Sequence, residues 1–508
     1  MSQRIALTVN GEQVEVEFTG RTLLSVLRDD FGLRSVKDGC SPQGQCGCCT
    51  VLVDGQPRVS CVTPVRRVEG RAITTFEGLA ADTAAGWGEA FCSAGASQCG
   101  FCTPGIVLRL EGLTTKVGKD AVDDANVRRA LSAHLCRCTG WQSIVEAAVG
   151  FPGQVVDAAT ASQRAEIEGG TPQRFGPDVV FGKGGFADDS APNDALVALR
   201  GSDGQWAVGE NLDDARAAAA KVQGRRTTLA TPQPLEVPDG DWVRTLRTSW
   251  VDPAYLETDA AWCAPGAEPS NPLANGGSFG GKLDATVGAE ARRLADEHAR
   301  PVRVLWSRED VARLAPKRPP VAAGLRADGT GVIRVARTKG IATQILAVAP
   351  GLEIEEVDVA GPPTSAALRG AGMVEAAVLM ASLSPDPRVT LPAGGSASAE
   401  VRADGAIAVE VEAGAPLSEV VLRSYCLGAA HMAYSWVTSE SLAVDETGEV
   451  LDLTVRSFGV VGAAAMPPVE VSIVASDGPS VNGSDAVFAA VAAAVWQDRD
   501  YATTWPTG

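Results

Sequence analysis

The chain has 508 residues, a formal net charge of −18, 45% hydrophobic residues and 21% charged residues. At roughly 100–200 residues per domain, this length predicts about three to five domains. The composition is that of a globular protein and excludes a wholly disordered chain, a collagen or a coiled coil. The acidic balance excludes a sequence-independent nucleic-acid binder, which needs a basic surface. The longest apolar runs, such as Val487 to Trp496, are too short to span a bilayer. The opening MSQRIALTVNGEQ has neither an apolar signal core nor a twin-arginine pair, so the expected compartment is the cytoplasm.

Taken in order, Ile5, Leu7 and Val9 alternate with polar neighbours, Asn10-Gly11 makes a two-residue turn, and Val14, Val16 and Phe18 alternate again, which predicts a hairpin. Thr22 to Asp30 fits a helix with Leu23, Leu24, Val26 and Leu27 as its apolar stripe. A cysteine-rich loop follows. Val51 to Val53, the turn Asp54-Gly55 and Val59 to Val62 then predict a second hairpin. Roughly residues 78–150 read as helical. One helix carries Ile106, Val107 and Leu110 just after Pro104. Another, capped at Asp123-Asp124, carries Val127, Ala130, Leu131 and Leu135, and a third carries Trp141, Ile144, Val145 and Ala148. Residues 157–176 show no sustained periodicity and contain Gly, Thr and Pro, which predicts a linker. Beyond it strands and helices alternate. Helices are predicted from Asn211 to Val222 and from Gly288 to His298, and a strand from Val302 to Trp306. Turns fall at Asp328-Gly329, Asp404-Gly405 and Glu446-Thr447-Gly448.

Ten of the 12 cysteines lie between Cys40 and Cys138, leaving only Cys263 and Cys426 in the rest of the chain. Cysteines packed at short spacing in a reducing compartment point to metal or redox chemistry. The first group is Cys40, Cys46, Cys48 and Cys49, followed by Cys61. It follows the plant-type [2Fe–2S] pattern C-x4-C-x2-C with a distant fourth cysteine, except that the first gap is five residues. Gly39, Gly44 and Gly47 free the backbone to turn its N–H groups toward sulfur. Cys40, Cys46, Cys49 and Cys61 are therefore the expected ligands, with Cys48 a bystander. A four-cysteine zinc site needs two CxxC knuckles, and one pair fits. The second group, Cys99-x2-Cys102 and Cys136-x-Cys138, suits zinc and [2Fe–2S] equally by spacing.

Taken together, GCSPQGQCGCCTVLVDG, Ser60-Cys61, QCGFCTPG and LCRCTGW resemble, in order, the two-cluster iron–sulfur subunit of the xanthine oxidase family of molybdenum hydroxylases. The resemblance covers about residues 1–150. It implies a β-grasp ferredoxin domain (1–77) and a four-helix domain (78–156), each with one [2Fe–2S] cluster, the second held by Cys99, Cys102, Cys136 and Cys138. It also implies that Gln98 lies near a pterin and Cys138 on the electron path from it.

In the remainder, GGSFGGK (Gly276 to Lys282) has P-loop spacing, but Leu283 stands where a Ser or Thr must reach Mg²⁺. After the N-terminal match it resembles the molybdopterin loop of the same family's large subunit, with Gly276, Gly277, Phe279 and Gly280 implied at the cofactor. LRGAG resembles the family's arginine–glycine turn, which adds Arg369 and Gly370. Arg300 to Glu309, Pro253 to Thr258, Pro467 to Glu470 and Val481 to Trp496 also resemble large-subunit segments. Residues 177–508 thus look like a fused, shortened large subunit. Its expected parts are a hammerhead-like α/β region (177–245), a molybdopterin-binding-like domain (246–385) and a shortened second one (386–508). The fold class expected is multidomain α+β, ending in mixed α/β domains.

The departures from the family are as informative. Its catalytic glutamate follows a glycine near the C-terminus, where this chain has Gly483-Ser484-Asp485, and Asp485 is the candidate substitute. The family's glycine–glutamine cofactor segment has no counterpart between Leu383 and Ala397, and no flavin domain is present, which places FAD on a partner chain. His134 is expected to pack beside the cluster motif and His298 to suit a helix C-terminus. Three histidines without HxxxH spacing exclude a histidine-based zinc enzyme. The resemblance implies hydroxylation of a small heterocycle or aldehyde and electron flow through two clusters to a flavin subunit. A further large subunit or a homodimer partner is also compatible. The alternative is a non-catalytic electron-transfer or assembly subunit with a degenerate molybdopterin region.

Overall fold

The computed structural model describes every residue except 1–3, 18–19, 151–154, 222, 274 and 284. Phe18, Val222 and the end of the expected helical unit at 151–154 thus lie outside the described residues.

Both N-terminal hairpins join one five-stranded sheet, ordered 12–17, 4–9, 72–74, 50–53 and 56–59. Arg4–Val9 pairs antiparallel with Glu12–Glu17 and parallel with Ala72–Thr74. Thr22 caps the following helix by accepting the Ser25 N–H. The chain continues in wider turns through Val26–Asp30 and buries Leu23, Leu24, Val26 and Leu27. The fourth strand is Gln56–Val59, not the expected 59–62. The chain leaves the sheet at Ser60, whose carbonyl accepts the Leu24 and Thr63 N–H groups, and this turn delivers Cys61 to the cysteine loop.

Next come helices Ala81–Ser93, Thr103–Val117, Asp124–Ala130 and Gln142–Val149. Asp123 and Asn126 form a reciprocal cap at the third. The expected linker holds a helix, Ala158–Gly169, started by the Asp157 cap and ended by Gly170 at φ +65°. Ala161 and Ala165 bury against Val421 and Tyr425 of the long helix Glu419–Thr438. Packing on that helix stabilises a segment whose own apolar face is only alanine-wide.

Among the described residues, three four-stranded sheets follow. One is ordered 206–209, 196–200, 302–305 and 260–263, and a second 352–357, 331–336, 321–325 and 244–247. The first draws strands from both sides of residue 245, so the expected 177–245 and 246–385 units share a sheet. A two-stranded hairpin at 196–209 is marginal alone and is completed by the later strands. The third sheet, ordered 388–390, 396–401, 407–412 and 469–474, lies within 386–508 and packs against helices Glu419–Thr438 and Ser484–Asp498. Asn211 caps a helix at Leu212–Ala219. The helix Val287–His298 and the strand Val302–Leu305 stand where expected.

A single apolar core runs from Ile5 to Trp505 and unites the N-terminal domains with the C-terminal part. Buried polar bolts cross the same junction. Arg28 bonds Asp188 at 2.6 Å, Gln43 Nε2 donates to Glu309 (3.0 Å) and to the Leu453 carbonyl (2.7 Å), and Arg137 pairs with Glu440 at 2.7 Å. Among the described residues no helix is long and apolar enough to cross a membrane.

Candidate redox and cofactor site

Cys40, Cys46, Cys48, Cys49 and Cys61 are all buried in one loop region, with Gly44 and Gly47 at φ +69° and +74°. Those turns aim backbone donors at sulfur. The Gln43 N–H lies 3.1 Å from Cys40 Sγ, the Gln45 N–H 3.4 Å from the same atom, and the Cys61 N–H 3.5 Å from Cys49 Sγ. Cys40 is within hydrogen-bonding reach of Cys46 and Cys61, and Cys61 of Cys49. Hydrogen bonds from Cys46 and Cys61, joined by backbone N–H groups, hold the Cys40 thiol well below its ordinary value. The thiolate is the form that binds metal.

The second group forms two sulfur pairs. Cys138 Sγ lies 3.6 Å from Cys99 Sγ, and Cys102 bonds Cys136, which is drawn down to about 6 by that hydrogen bond. Cys102 sits at the cap of helix Thr103–Val117, whose N-terminal dipole favours negative charge. Among the described residues no group of three or more His, Cys, Asp or Glu is placed to hold a single metal ion. Paired thiols suit two irons, each taking two sulfurs, better than one tetrahedral zinc. The two loops touch directly, the Leu135 N–H donating to the Cys46 carbonyl at 2.9 Å. His134 fills the space beside Gly47, and burial lowers its pKa to about 3, so the ring is neutral.

A cavity of about 210 Å³ opens beside the second group. It gathers Gln98, Cys99, Gly277, Phe279, Gly280, Arg369, Gly370 and Asp485, which sequence patterns had singled out in four distant segments. Gly276 borders it through Gln173, whose amide stands where a Cβ on Gly276 would be. Gln98 Nε2 donates to the Cys138 carbonyl (2.9 Å) and to Ser424 (3.0 Å), so the wall residue is tied to the cysteine loop. Phe279 and Arg369 both hold left-handed backbone, φ +51° and +44°, and the Arg369 N–H donates to the Phe279 carbonyl at 3.3 Å. Two such non-glycine residues bonded together at a cavity wall are stored strain of the kind found at functional sites. Burial lowers the Arg369 pKa, with Asp485 opposing. Burial raises that of Asp485, with Arg369 and Arg318 opposing.

The 157–176 segment adds Glu168, Gly169, Gly170, Thr171 and Gln173 to the wall. Glu168 is fully buried and pairs with Arg164 at 2.9 Å. Its carboxylate also accepts the N–H groups of Gly483 (3.1 Å) and Ser484 (2.8 Å). Sequence patterning missed this segment. The signal available was the Asp157 cap ahead of alanines at 158, 161 and 165, ending at Gly169-Gly170.

Residues 7–74 match the family described as the 2Fe-2S iron-sulfur cluster binding domain, and residues 75–149 the family described as the [2Fe-2S] binding domain. The caffeine dehydrogenase subunit gamma of Pseudomonas sp. (strain CBB1) is 42% identical over 149 residues, which is 29% of this chain and 89% of that one. The xanthine dehydrogenase iron-sulfur-binding subunit of Escherichia coli O157:H7 is 41% identical over 142 residues, 28% of this chain and 89% of that one. The aldehyde oxidoreductase of Desulfovibrio gigas aligns over 97% of this chain and 97% of its own, with a TM-score of 0.71 and 15% identity, a likeness of fold. The chain thus carries two [2Fe–2S] domains within residues 7–149 and belongs to the xanthine oxidase family of molybdenum hydroxylases.

Proposed function

We propose that this protein is an oxidoreductase that binds a molybdopterin in the cavity beside Cys99 and passes electrons from it through two [2Fe–2S] clusters to a flavin-bearing partner. The observation that carries this is the meeting of Gln98, the Gly277–Gly280 loop, Arg369 and Asp485 in one cavity that Cys99 also lines. The residues suit an anionic, hydrogen-bonding group lying against bare backbone. A Cβ on Gly280 would stand 2.2 Å from the Ala367 carbonyl, and among the described residues the buried Arg369 Nε has no hydrogen-bond partner.

When bound, the molybdenum cofactor supplies a two-electron acceptor for a substrate C–H bond, with water as the oxygen source. Gln98 and the Gly276–Gly280 backbone would hold the cofactor, and Arg369 would bind its negative charge. Asp485 is the candidate base. Its raised pKa suits it to take a proton from a substrate or water in the cavity. By our assignment Cys99, Cys102, Cys136 and Cys138 hold the second cluster, and Cys40, Cys46, Cys49 and Cys61 the first. The relatives named for xanthine and caffeine support a small heterocycle as substrate. Their subunit names support a partner chain.

Ser484 in the place of the family's glutamate favours a second reading, an electron-transfer or assembly subunit whose cavity is empty in the cell. Release of bound pterin separates the two. Denatured protein from a molybdenum-sufficient host should yield one fluorescent pterin per chain; none would overturn the first reading.

A further inference from the structure

Cys48 is the fifth thiol of the first group and is 0% exposed. Its side chain is within hydrogen-bonding reach of Cys46. A Cβ on Gly39 would stand 3.1 Å from both sulfurs and 3.2 Å from the Phe101 ring, so glycine there lets the pair and the ring close together. The Cys48 backbone is pressed against the second domain, where a Cβ on Gly105 would stand 2.8 Å from the Cys48 carbonyl oxygen. Cys48 therefore sits on the first cluster's side of the junction that separates it from the second.

We propose that the Cys48 thiol donates a hydrogen bond to the Cys46 sulfur and thereby raises the reduction potential of the first cluster. This rests on the ligand set Cys40, Cys46, Cys49 and Cys61. Once Cys46 is a metal-bound thiolate it has no proton, so Cys48 holds the only S–H of the pair. The competing acceptor is the Cys46 carbonyl. It lies 3.9 Å from Cys48 Sγ and already receives the Leu135 N–H at 2.9 Å. A charged sulfur is the stronger acceptor of the two. Hydrogen bonds to cluster sulfurs, together with burial, set cluster potentials. A donor here stabilises the reduced, more negative cluster, which favours electron flow toward the first cluster.

The test is a redox titration of the full, cluster-loaded chain, followed by EPR, for the wild type, Cys48→Ala and Cys48→Ser. Proton hyperfine spectra in H₂O and D₂O accompany it. Both variants should keep both clusters. Cys48→Ala should lower the first cluster's reduction equilibrium about tenfold, which is about 59 mV for a one-electron couple, and lose an exchangeable proton close to that cluster. Cys48→Ser, which keeps an O–H donor, should retain the proton and a midpoint at or above wild type. An unchanged midpoint in Cys48→Ala overturns the proposal. Loss of a cluster from both variants overturns it too, because Cys48 would then be a ligand. Should Cys48→Ala fail to accumulate, Cys48→Ser decides alone: a lower midpoint or a missing exchangeable proton overturns the proposal.

Discussion

Gly277 lies directly against Cys99. A Cβ at Gly277 would stand 2.8 Å from Cys99 Cβ, 3.0 Å from its sulfur and 3.6 Å from the sulfur of Cys138. The loop proposed to hold the cofactor thus lies directly against the thiols proposed to hold the nearer cluster. Gly277→Ala should strain both sides, since Gly277 also sits at φ +78°. A cost of about 1–3 kcal/mol is expected. EPR should show an altered signal from the second cluster and an unaltered one from the first.

Cys49→Ser should remove one of two distinguishable [2Fe–2S] signals, while the cluster on Cys99, Cys102, Cys136 and Cys138 survives. Cluster binding contributes to folding, so the N-terminal sheet should also loosen. Hydrogen exchange over the strands Arg4–Val9 and Thr50–Val53 measures this, and the helical domain serves as internal control.

Glu168→Ala should leave Arg164 buried without its partner and two N–H groups at the start of helix Ser484–Asp498 without an acceptor. Removing one partner of a buried pair costs about 3–5 kcal/mol. Thermal or urea denaturation should show the loss. Glu168→Gln should recover part of it, since an amide oxygen can still accept from the backbone.

His431 is buried, with Nε2 bonded to the Val461 carbonyl at 2.8 Å. Burial, with Arg137 nearby, lowers its pKa to about 4. The unfolded chain takes up a proton near pH 6.5 that the folded chain refuses until about pH 4. Stability from this residue is complete above pH 6.5 and falls as pH drops through that window, by about 3 kcal/mol. Midpoints of unfolding between pH 7 and 4 should decline less steeply in His431→Gln than in the wild type.

The cysteine groups, the hairpins and the glycine loop were legible because each rests on a local rule: sulfur spacing, a two-residue turn, a bare backbone. The meeting of Gln98, Phe279, Arg369 and Asp485 was legible only through family resemblance, since these residues are far apart in sequence and the fold alone joins them. Glu168 and Gln173 were missed for a related reason. The helix that carries Glu168 and leads into Gln173 fully buries only Ala161 and Ala165 among its apolar residues, a face too weak to show as periodicity before Val421 and Tyr425 are known to cover it. The sheet shared across residue 245 was equally hidden, because strand pairing between 196–200 and 302–305 leaves no mark in either segment alone.

The most direct measurement is the iron and molybdenum content of the full chain purified from a molybdenum-sufficient host. Two [2Fe–2S] clusters and one molybdopterin require about four irons and one molybdenum per chain. Four irons without molybdenum would contradict cofactor binding in the cavity beside Cys99.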